Sequence, residues 1–177
     1  GLGANAVDSI TTGDYNVGLG DNALTAVTSG SHNTGLGYSA LAANSTGAKN
    51  VAVGQYSLNS NTTASNNTSV GRAAMFTNTT GADNVAIGQD ALYHNTTASS
   101  NTAVGKSAMA ANTTGSPNVA VGRNALTANT TAANNVAVGD RALAANTTGY
   151  SNTGLGDRAL ITNTTAHSNT AVGADSL

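Results

Sequence analysis

The residues that could bind or react are few, and most of them share two positions of the chain. There are six Lys or Arg residues, eight acidic residues, three His and no Cys. Ten of the charged residues stand one or two places after a recurring glycine, a stripe that must face solvent because unpaired charge is costly to bury. We interpret it as a solubilising surface, and the alternative is a ligand-facing stripe made of Arg72, Asp90, Lys106, Arg123, Arg141 and Arg158.

No combination of these residues predicts catalysis or metal binding. The many Ser and Thr hydroxyls have no histidine or carboxylate at a fixed spacing that could activate them. His32, His94 and His167 occupy three different repeat positions, and without Cys or Glu no recurrent set of metal ligands appears. We therefore expect a protein that is not an enzyme and needs no cofactor. The net charge of -2 gives no electrostatic reason to expect nucleic acid or an anionic membrane as a partner.

The spacing that organises these residues is an interval of 17 residues. A period near 20 residues that is held without slippage is typical of stacked-coil proteins. It predicts one repeat array over residues 1–177, and because both ends fall within a repeat we expect a segment of a longer fibrous protein. The interval is marked by ten asparagines: Asn16, Asn33, Asn50, Asn67, Asn84, Asn101, Asn118, Asn135, Asn152 and Asn169.

Glycine forms a second column, four residues after each of these asparagines. Such a column indicates a turn with positive φ, or a backbone approach too close for a Cβ. The alternating stretch before it, such as Val51-Ala52-Val53, is typical of a strand, and a further apolar column contains Leu58 and Met75. We expect two well-buried aliphatic side chains per coil. The glycines predicted to form the turn are Gly20, Gly37, Gly54, Gly71, Gly88, Gly105, Gly122, Gly139 and Gly156.

The fold class that this pattern predicts is all-β, a parallel β-roll or β-solenoid of about ten 17-residue coils. Glycine and paired threonines such as Thr113-Thr114 recur too often for helices to form. Each coil has room for two or three short strands, and a rise of about 4.8 Å per coil predicts a rod roughly 50 Å long. Because so narrow a coil buries little apolar surface, we expect it to gain stability by packing against identical chains.

Stacked asparagines are expected to form hydrogen-bonded ladders, because an amide side chain contains both donors and an acceptor. The alternative is a row of exposed turn residues that tolerate positive φ. A second column, from Asn44 to Asn163, allows the same two interpretations. The paired threonines leave ice binding as a hypothesis of another class, although in a strand only one of each pair could join an outward column.

The few aromatic residues do not predict a stacking platform for sugars or bases. Phe76 and Tyr93 share one repeat position, which is too few rings to form such a surface. The other tyrosines scatter over the repeat: Tyr15, Tyr38, Tyr56 and Tyr150.

Three stretches resemble the head repeats of trimeric autotransporter adhesins (YadA-like heads), in which the motif Asn-Ser-Val-Ala-Ile-Gly recurs. They are Asn50-Val51-Ala52-Val53-Gly54, Asn84-Val85-Ala86-Ile87-Gly88 and Asn118-Val119-Ala120-Val121-Gly122. The full unit, such as residues 101–117, is also similar to arrays in phage tail-fibre proteins. The resemblance covers essentially the whole chain and implies a left-handed parallel β-roll whose three chains pack around one axis.

The role that this resemblance implies is a fibre segment at a cell or virion surface, acting as a structural shaft or as an adhesive head. The implied partners are further copies of the chain, in a homotrimer or an end-to-end filament, and an unidentified receptor, matrix or glycan. A phage tail-fibre shaft or receptor-binding segment is the alternative. The 17-residue unit is longer than the usual head repeat, so we expect its Asn-Thr-Thr segment to form a larger loop or a third strand.

Overall fold

The computed structural model describes residues 3–177, which form a β-solenoid built on one parallel sheet of ten strands. The strands follow one another in chain order, and each pairs with the next at an offset of 17 residues, as Val85 does with Thr102. The predicted all-β solenoid with 17-residue coils is therefore confirmed. The strands are β1 Val17–Leu19, β2 Thr34–Leu36, β3 Val51–Val53, β4 Thr68–Val70, β5 Val85–Ile87, β6 Thr102–Val104, β7 Asn118–Val121, β8 Asn135–Val138, β9 Thr153–Leu155 and β10 Thr170–Val172.

Each coil, defined as the 17 residues that begin at an asparagine of the first column, contains one strand. The expectation of two or three strands per coil was wrong. The remaining residues form turns and bends that stack on the next coil through backbone hydrogen bonds without strand geometry. No segment of the described chain forms a helix long and apolar enough to cross a bilayer.

Left-handed backbone conformation explains how these turns bond to both neighbouring coils. In the coil that begins at Asn84, Asp90 has a φ of 58° and Leu92 a φ of 50°. The Asp90 N–H donates to the Arg72 carbonyl of the preceding coil at 3.1 Å, whereas the Leu92 N–H donates to the Ala108 carbonyl of the following coil at 3.0 Å. A left-handed residue costs about 1 kcal/mol or more, and these inter-coil hydrogen bonds offset that cost.

The apolar core contains one large fully buried side chain in most coils, not the expected two; the coil that begins at Asn16 buries both Leu24 and Val27. Leu92 and Met109 are fully buried in the column that follows the turn, with alanines around them. In contrast, Ile87 at the end of β5 points outward and is 40% exposed. The reason is strand alternation: Asn84 and Ala86 point into the coil, so Val85 and Ile87 must point away from it.

The first asparagine column is a hydrogen-bonded ladder inside the rod. From Asn33 to Asn169, the backbone N–H of every asparagine in this column donates to the side-chain Oδ1 of the column asparagine one coil earlier, at 2.9–3.0 Å. The side chain then uses its own donor within the coil, as Asn84 Nδ2 does towards the Ala98 carbonyl at 2.9 Å. The column is buried except at Asn16 and Asn169, which are partly buried.

The second asparagine column forms a parallel ladder that meets the first. Asn95 Nδ2 donates to Asn78 Oδ1 at 2.8 Å and to the Ala98 carbonyl at 3.0 Å. The Ala98 carbonyl therefore accepts from both Asn84 and Asn95, which uses both of its lone pairs. Within residues 3–177, every buried side-chain nitrogen and oxygen has a hydrogen-bond partner.

The glycine column lies at the turn that ends each strand. Gly88 has a φ of 133°, a backbone conformation that residues other than glycine rarely adopt. A Cβ placed on Gly88 would lie 2.5 Å from the carbonyl oxygen of Gly105, the glycine of the next coil. Both reasons that the sequence suggested for glycine, positive φ and close approach, therefore apply at the same position.

Candidate functional site

The outer face of the sheet is a regular aliphatic surface, which we call the aliphatic face. It consists of two residues from each coil. The second residue of the coil is Val or Thr, and the fourth residue is Val, Leu or Ile. Neither column contains a charged residue. Val51 is 36% exposed and Val17 is 54% exposed. Most of the other residues of the face are partly exposed, and half of the second-place residues are Thr. A regular row of partly exposed aliphatic side chains is typical of an interaction site.

The charged stripe lies on the turn after each glycine, where all six predicted ligand-facing residues are exposed or partly exposed. Four of the six pair with a charge one coil away. Arg72 lies 3.4 Å from Asp90. The remaining two, Lys106 and Arg141, form no ion pair within residues 3–177.

Two of the inter-coil pairs are bidentate. Arg123 donates from Nε and Nη2 to the two carboxylate oxygens of Asp140, at 3.0 and 2.8 Å. Arg158 donates to Asp175 in the same way, at 2.6 Å for both hydrogen bonds. These hydrogen bonds lower the pKa of the Asp140 and Asp175 carboxyls, and the nearby positive charge adds to the effect. The pairs therefore neutralise much of the stripe by themselves.

Five aromatic rings form a continuous row across four coils, which we call the aromatic row. Tyr38 contacts Tyr56 edge to face, with ring centroids 5.2 Å apart, and Tyr56 contacts Phe76 edge to face at 6.0 Å. Phe76 stacks on Tyr93 at 5.3 Å, and His94 meets Tyr93 edge to face at 4.7 Å. The tyrosines that scatter over the repeat in sequence are therefore brought into contact in the structure, which the count of rings in each column did not foresee. Sequence position hid the contacts of Tyr38 and Tyr56 because these residues belong to different repeat columns, whereas Phe76 and Tyr93 share one.

The tyrosines outside the row form two smaller stacks. Tyr15 stacks on His32 with centroids 4.9 Å apart, and Tyr150 stacks on His167 at 4.6 Å. In each pair the two rings occupy the same repeat position in adjacent coils, a spacing that suits stacking. All three histidines therefore contact an aromatic ring, and no cluster of three potential metal ligands occurs among residues 3–177.

A shallow depression of about 370 Å³ lies at one end of the aromatic row, and we call it the Tyr93 depression. Its lining residues are Arg72, Asp90, Tyr93, His94 and Ala110. It brings together two of the predicted ligand-facing residues with two aromatic rings. The sequence signal that could have found it is the change from aromatic to alanine in one repeat column.

That column explains the shape of the depression. In successive coils it reads Phe76, Tyr93, Ala110. Phe76 covers one face of the Tyr93 ring, whereas in the next coil the same column holds Ala110, which has no ring to stack on Tyr93. The aromatic stack therefore ends at Tyr93 and leaves space for one more flat group.

The paired threonines differ in exposure. Thr113 is partly buried, and its hydroxyl donates to the Thr130 carbonyl of the next coil at 3.1 Å. Thr114 beside it is exposed. The same division recurs in the coils between the two ends, where one residue of each pair faces outward, whereas both threonines are exposed in the end pairs Thr11-Thr12 and Thr164-Thr165.

No protein-family model, curated protein or solved structure matches the chain. The chain is therefore characterised by its own fold and by three surfaces: the aliphatic face, the charged stripe and the aromatic row.

Proposed function

We propose that the chain is a non-enzymatic segment of an extracellular fibre, which assembles as a homotrimer through the aliphatic face and serves as a shaft or adhesive head. The observation that supports this proposal most directly is the aliphatic face, because its Val, Leu and Ile side chains lie outside the core of the single chain. The number three comes from the resemblance of the Asn-Val-Ala-Val-Gly stretches to trimeric adhesin heads.

The size of the aliphatic face favours a stable interface. Soluble monomers rarely expose a continuous apolar patch larger than a few hundred square ångströms, and stable interfaces bury about 800 Å² on each partner. Ten strands stacked about 4.8 Å apart give this face a length of over 40 Å. Covering it would supply apolar burial that the single large core residue of most coils does not provide.

The regularity of the face favours an identical chain as the partner. A row of side chains that repeats once per coil is complementary, along its whole length, only to a surface with the same spacing. Another copy of the chain has that spacing by construction. The β-branched valines also have few rotamers, so ordering them at an interface costs little entropy.

A phage tail-fibre segment is a second form of the same proposal, because a shaft on a virion would use the same surfaces. In either form the partners are other copies of the chain and a receptor, matrix or glycan at the surface to which the fibre attaches.

The test is to place charges on the aliphatic face and measure the assembly state. We expect the wild-type chain at micromolar concentration to sediment at about three times its mass of 17.2 kDa. The double variant with Ile87→Asp and Val121→Asp should sediment as a monomer, because burying two unpaired charges per chain is prohibitive. A matched variant with Thr97→Asp and Thr131→Asp, which places the same charges on the exposed threonine column, should remain trimeric.

Three results would contradict the proposal in different ways. A monodisperse wild-type monomer would exclude assembly through the aliphatic face. A dimer would retain the face as an interface and exclude the trimer. Ice shaping with clear thermal hysteresis by the wild-type chain would instead favour the ice-binding hypothesis, since the outward threonine column would then be the functional surface.

A further inference from the structure

We propose that the Tyr93 depression binds a neutral carbohydrate. This inference rests on the adhesive form of the proposed function and names the ligand class and the site for it. The side chains that would contact the sugar are Tyr93, His94, Arg72 and Asp90, which line the depression together with Ala110.

The Tyr93 ring provides the apolar surface of the site. One of its faces is stacked against Phe76, which holds the ring in place, and His94 contacts it edge to face. On the side towards the next coil, the residue of the same repeat position is Ala110, which lines the depression and has no ring to stack on Tyr93. A sugar ring has an apolar face of C–H groups that can pack on such an aromatic surface, and the shallow depression of about 370 Å³ leaves that surface accessible.

The Arg72–Asp90 pair provides the hydrogen-bonding edge of the site. Asp90 accepts hydrogen bonds from Gln89 Nε2 at 2.9 Å and from Arg72 Nη2 at 3.4 Å. The long Arg72 contact leaves both side chains with capacity to bind adjacent hydroxyls, one as donor and the other as acceptor. An aromatic face beside a donor and an acceptor complements a sugar, which has hydroxyls around the rim of its apolar face.

Charge distinguishes a neutral sugar from the other flat ligands that could stack on Tyr93. Arg72 and Asp90 offset each other, so the depression offers no net charge to an anion or a cation. A nucleotide base could stack, but its phosphate would gain little from a chain whose net charge is -2. A neutral glycan has no such requirement.

The depression would stay accessible in the proposed trimer. Its lining residues stand on the turn after the glycine and on the segment that follows the buried Leu92, whereas the aliphatic face belongs to the strands. The two surfaces therefore use different parts of each coil. One trimer would present three copies of the site.

The experiment is saturation-transfer difference NMR on the full chain, with short neutral oligomers of glucose, galactose, mannose and N-acetylglucosamine at millimolar concentration. At least one oligomer should receive saturation from the wild-type chain. Two variants should weaken its binding by at least about tenfold. Tyr93→Ala removes the aromatic face, and Ala110→Tyr extends the stack and fills the depression. Tyr150→Ala, which removes a ring of a separate stack, should leave binding unchanged.

The Ala110→Tyr variant separates loss of the site from loss of the fold, since it adds a ring to an existing stack and should not lower the melting temperature. The proposal is overturned if no neutral oligomer binds, if Tyr93→Ala binds as the wild type does, or if an anionic oligosaccharide or AMP binds more tightly than every neutral probe. Sedimentation of the same samples keeps the two proposals distinct. A trimer that binds no sugar contradicts only the proposal of a carbohydrate site. A monomer that binds sugar contradicts only the proposal of trimer formation through the aliphatic face.

Discussion

The glycine column and the charged stripe are adjacent along the chain but differ in how much substitution each tolerates. Gly88 and Asp90 both have positive φ, at 133° and 58°. The first position is glycine throughout the array, whereas the second is filled by Asn, Ser, Tyr, Ala, Asp and Arg in different coils. The comparison shows that a φ near 58° does not by itself demand glycine here. Gly88 is under two demands together, a φ of 133° and a neighbouring coil whose backbone occupies the place of a Cβ.

The same contrast applies to the side-chain contacts that cross from one coil to the next. The asparagine ladders are buried and bond to backbone N–H and C=O groups in the interior of the rod. The Arg–Asp pairs of the stripe are exposed, so water and salt can replace them. We therefore expect the interior contacts to determine stability and the stripe to contribute little to it.

The largest expected effect is that of Gly88→Val. The variant would combine a strained backbone conformation with a clash against Gly105, and a coil in the middle of an array supports the coils on both sides. We expect a loss of about 4 kcal/mol or more in the free energy of unfolding, measured by denaturant titration.

The matched variant for this experiment is Asp90→Ser, two residues along the chain. Serine already occupies the equivalent position at Ser39 and Ser107, also with positive φ. We expect Asp90→Ser to change the free energy of unfolding by less than about 0.5 kcal/mol. Equal losses in both variants would mean that the stripe is as structural as the glycine column.

A smaller effect is expected within the interior itself, where the two asparagine ladders differ. Asn84 Oδ1 accepts the buried backbone N–H of Asn101 at 2.9 Å, whereas Asn95 bonds to a second asparagine side chain and to the shared Ala98 carbonyl. Asn84→Ala leaves the backbone N–H of Asn101 unsatisfied, and we expect it to cost about 2–3 kcal/mol. Asn95→Ala removes the donor to Asn78 Oδ1, which leaves an unpaired acceptor rather than an unpaired backbone donor, and we expect a smaller cost of about 1 kcal/mol.

The exposed Thr97→Ala provides the reference for both asparagine variants, because its side chain lies on the outward threonine column of the same coil. Thermal or denaturant unfolding of the three single variants gives the comparison directly. If Asn95→Ala costs as much as Asn84→Ala, the backbone hydrogen bond is not what distinguishes the two ladders.

The sequence predicted those features that depend on a single repeated position. The unbroken asparagine interval predicted a parallel solenoid, and the glycine column predicted the turn. The direction of the strand side chains was not foreseen, because alternation alone does not say which set points inward. In the structure the buried side chain of Asn84 determines this direction, because alternation from Asn84 places Ala86 inside the coil and Ile87 outside it.

Two further features could not be predicted because they depend on contacts between different repeat positions. Leu92 has a left-handed backbone conformation that its residue type gives no reason to expect. Its N–H bonds to the next coil, and this bond becomes visible only when the coils are stacked. The contact between Tyr56 and Phe76 likewise joins two columns three positions apart in the repeat, so a column-by-column analysis misses it.

The smallest effect is expected in the stripe, where the Arg–Asp pairs make stability depend on acidity. Hydrogen bonds from Arg123 and Arg158 hold the pKa of Asp140 and Asp175 below the ordinary value of 3.8. The stabilisation is therefore present above that value and is lost as the pH falls through the lowered pKa. Because both pairs are exposed, the double variant with Asp140→Asn and Asp175→Asn should lower the melting temperature at neutral pH by only about 1–3 °C.

That difference should disappear once the pH has fallen through the lowered pKa and the wild-type carboxyls are protonated too, and it should shrink in about 1 M salt. Asp157→Asn is the control, since Asp157 forms no ion pair within residues 3–177. A drop as large as that of Asn84→Ala would place the stripe among the contacts that hold the coils together. A drop confined to neutral pH and low salt would leave that role to the buried ladders and the glycine turns.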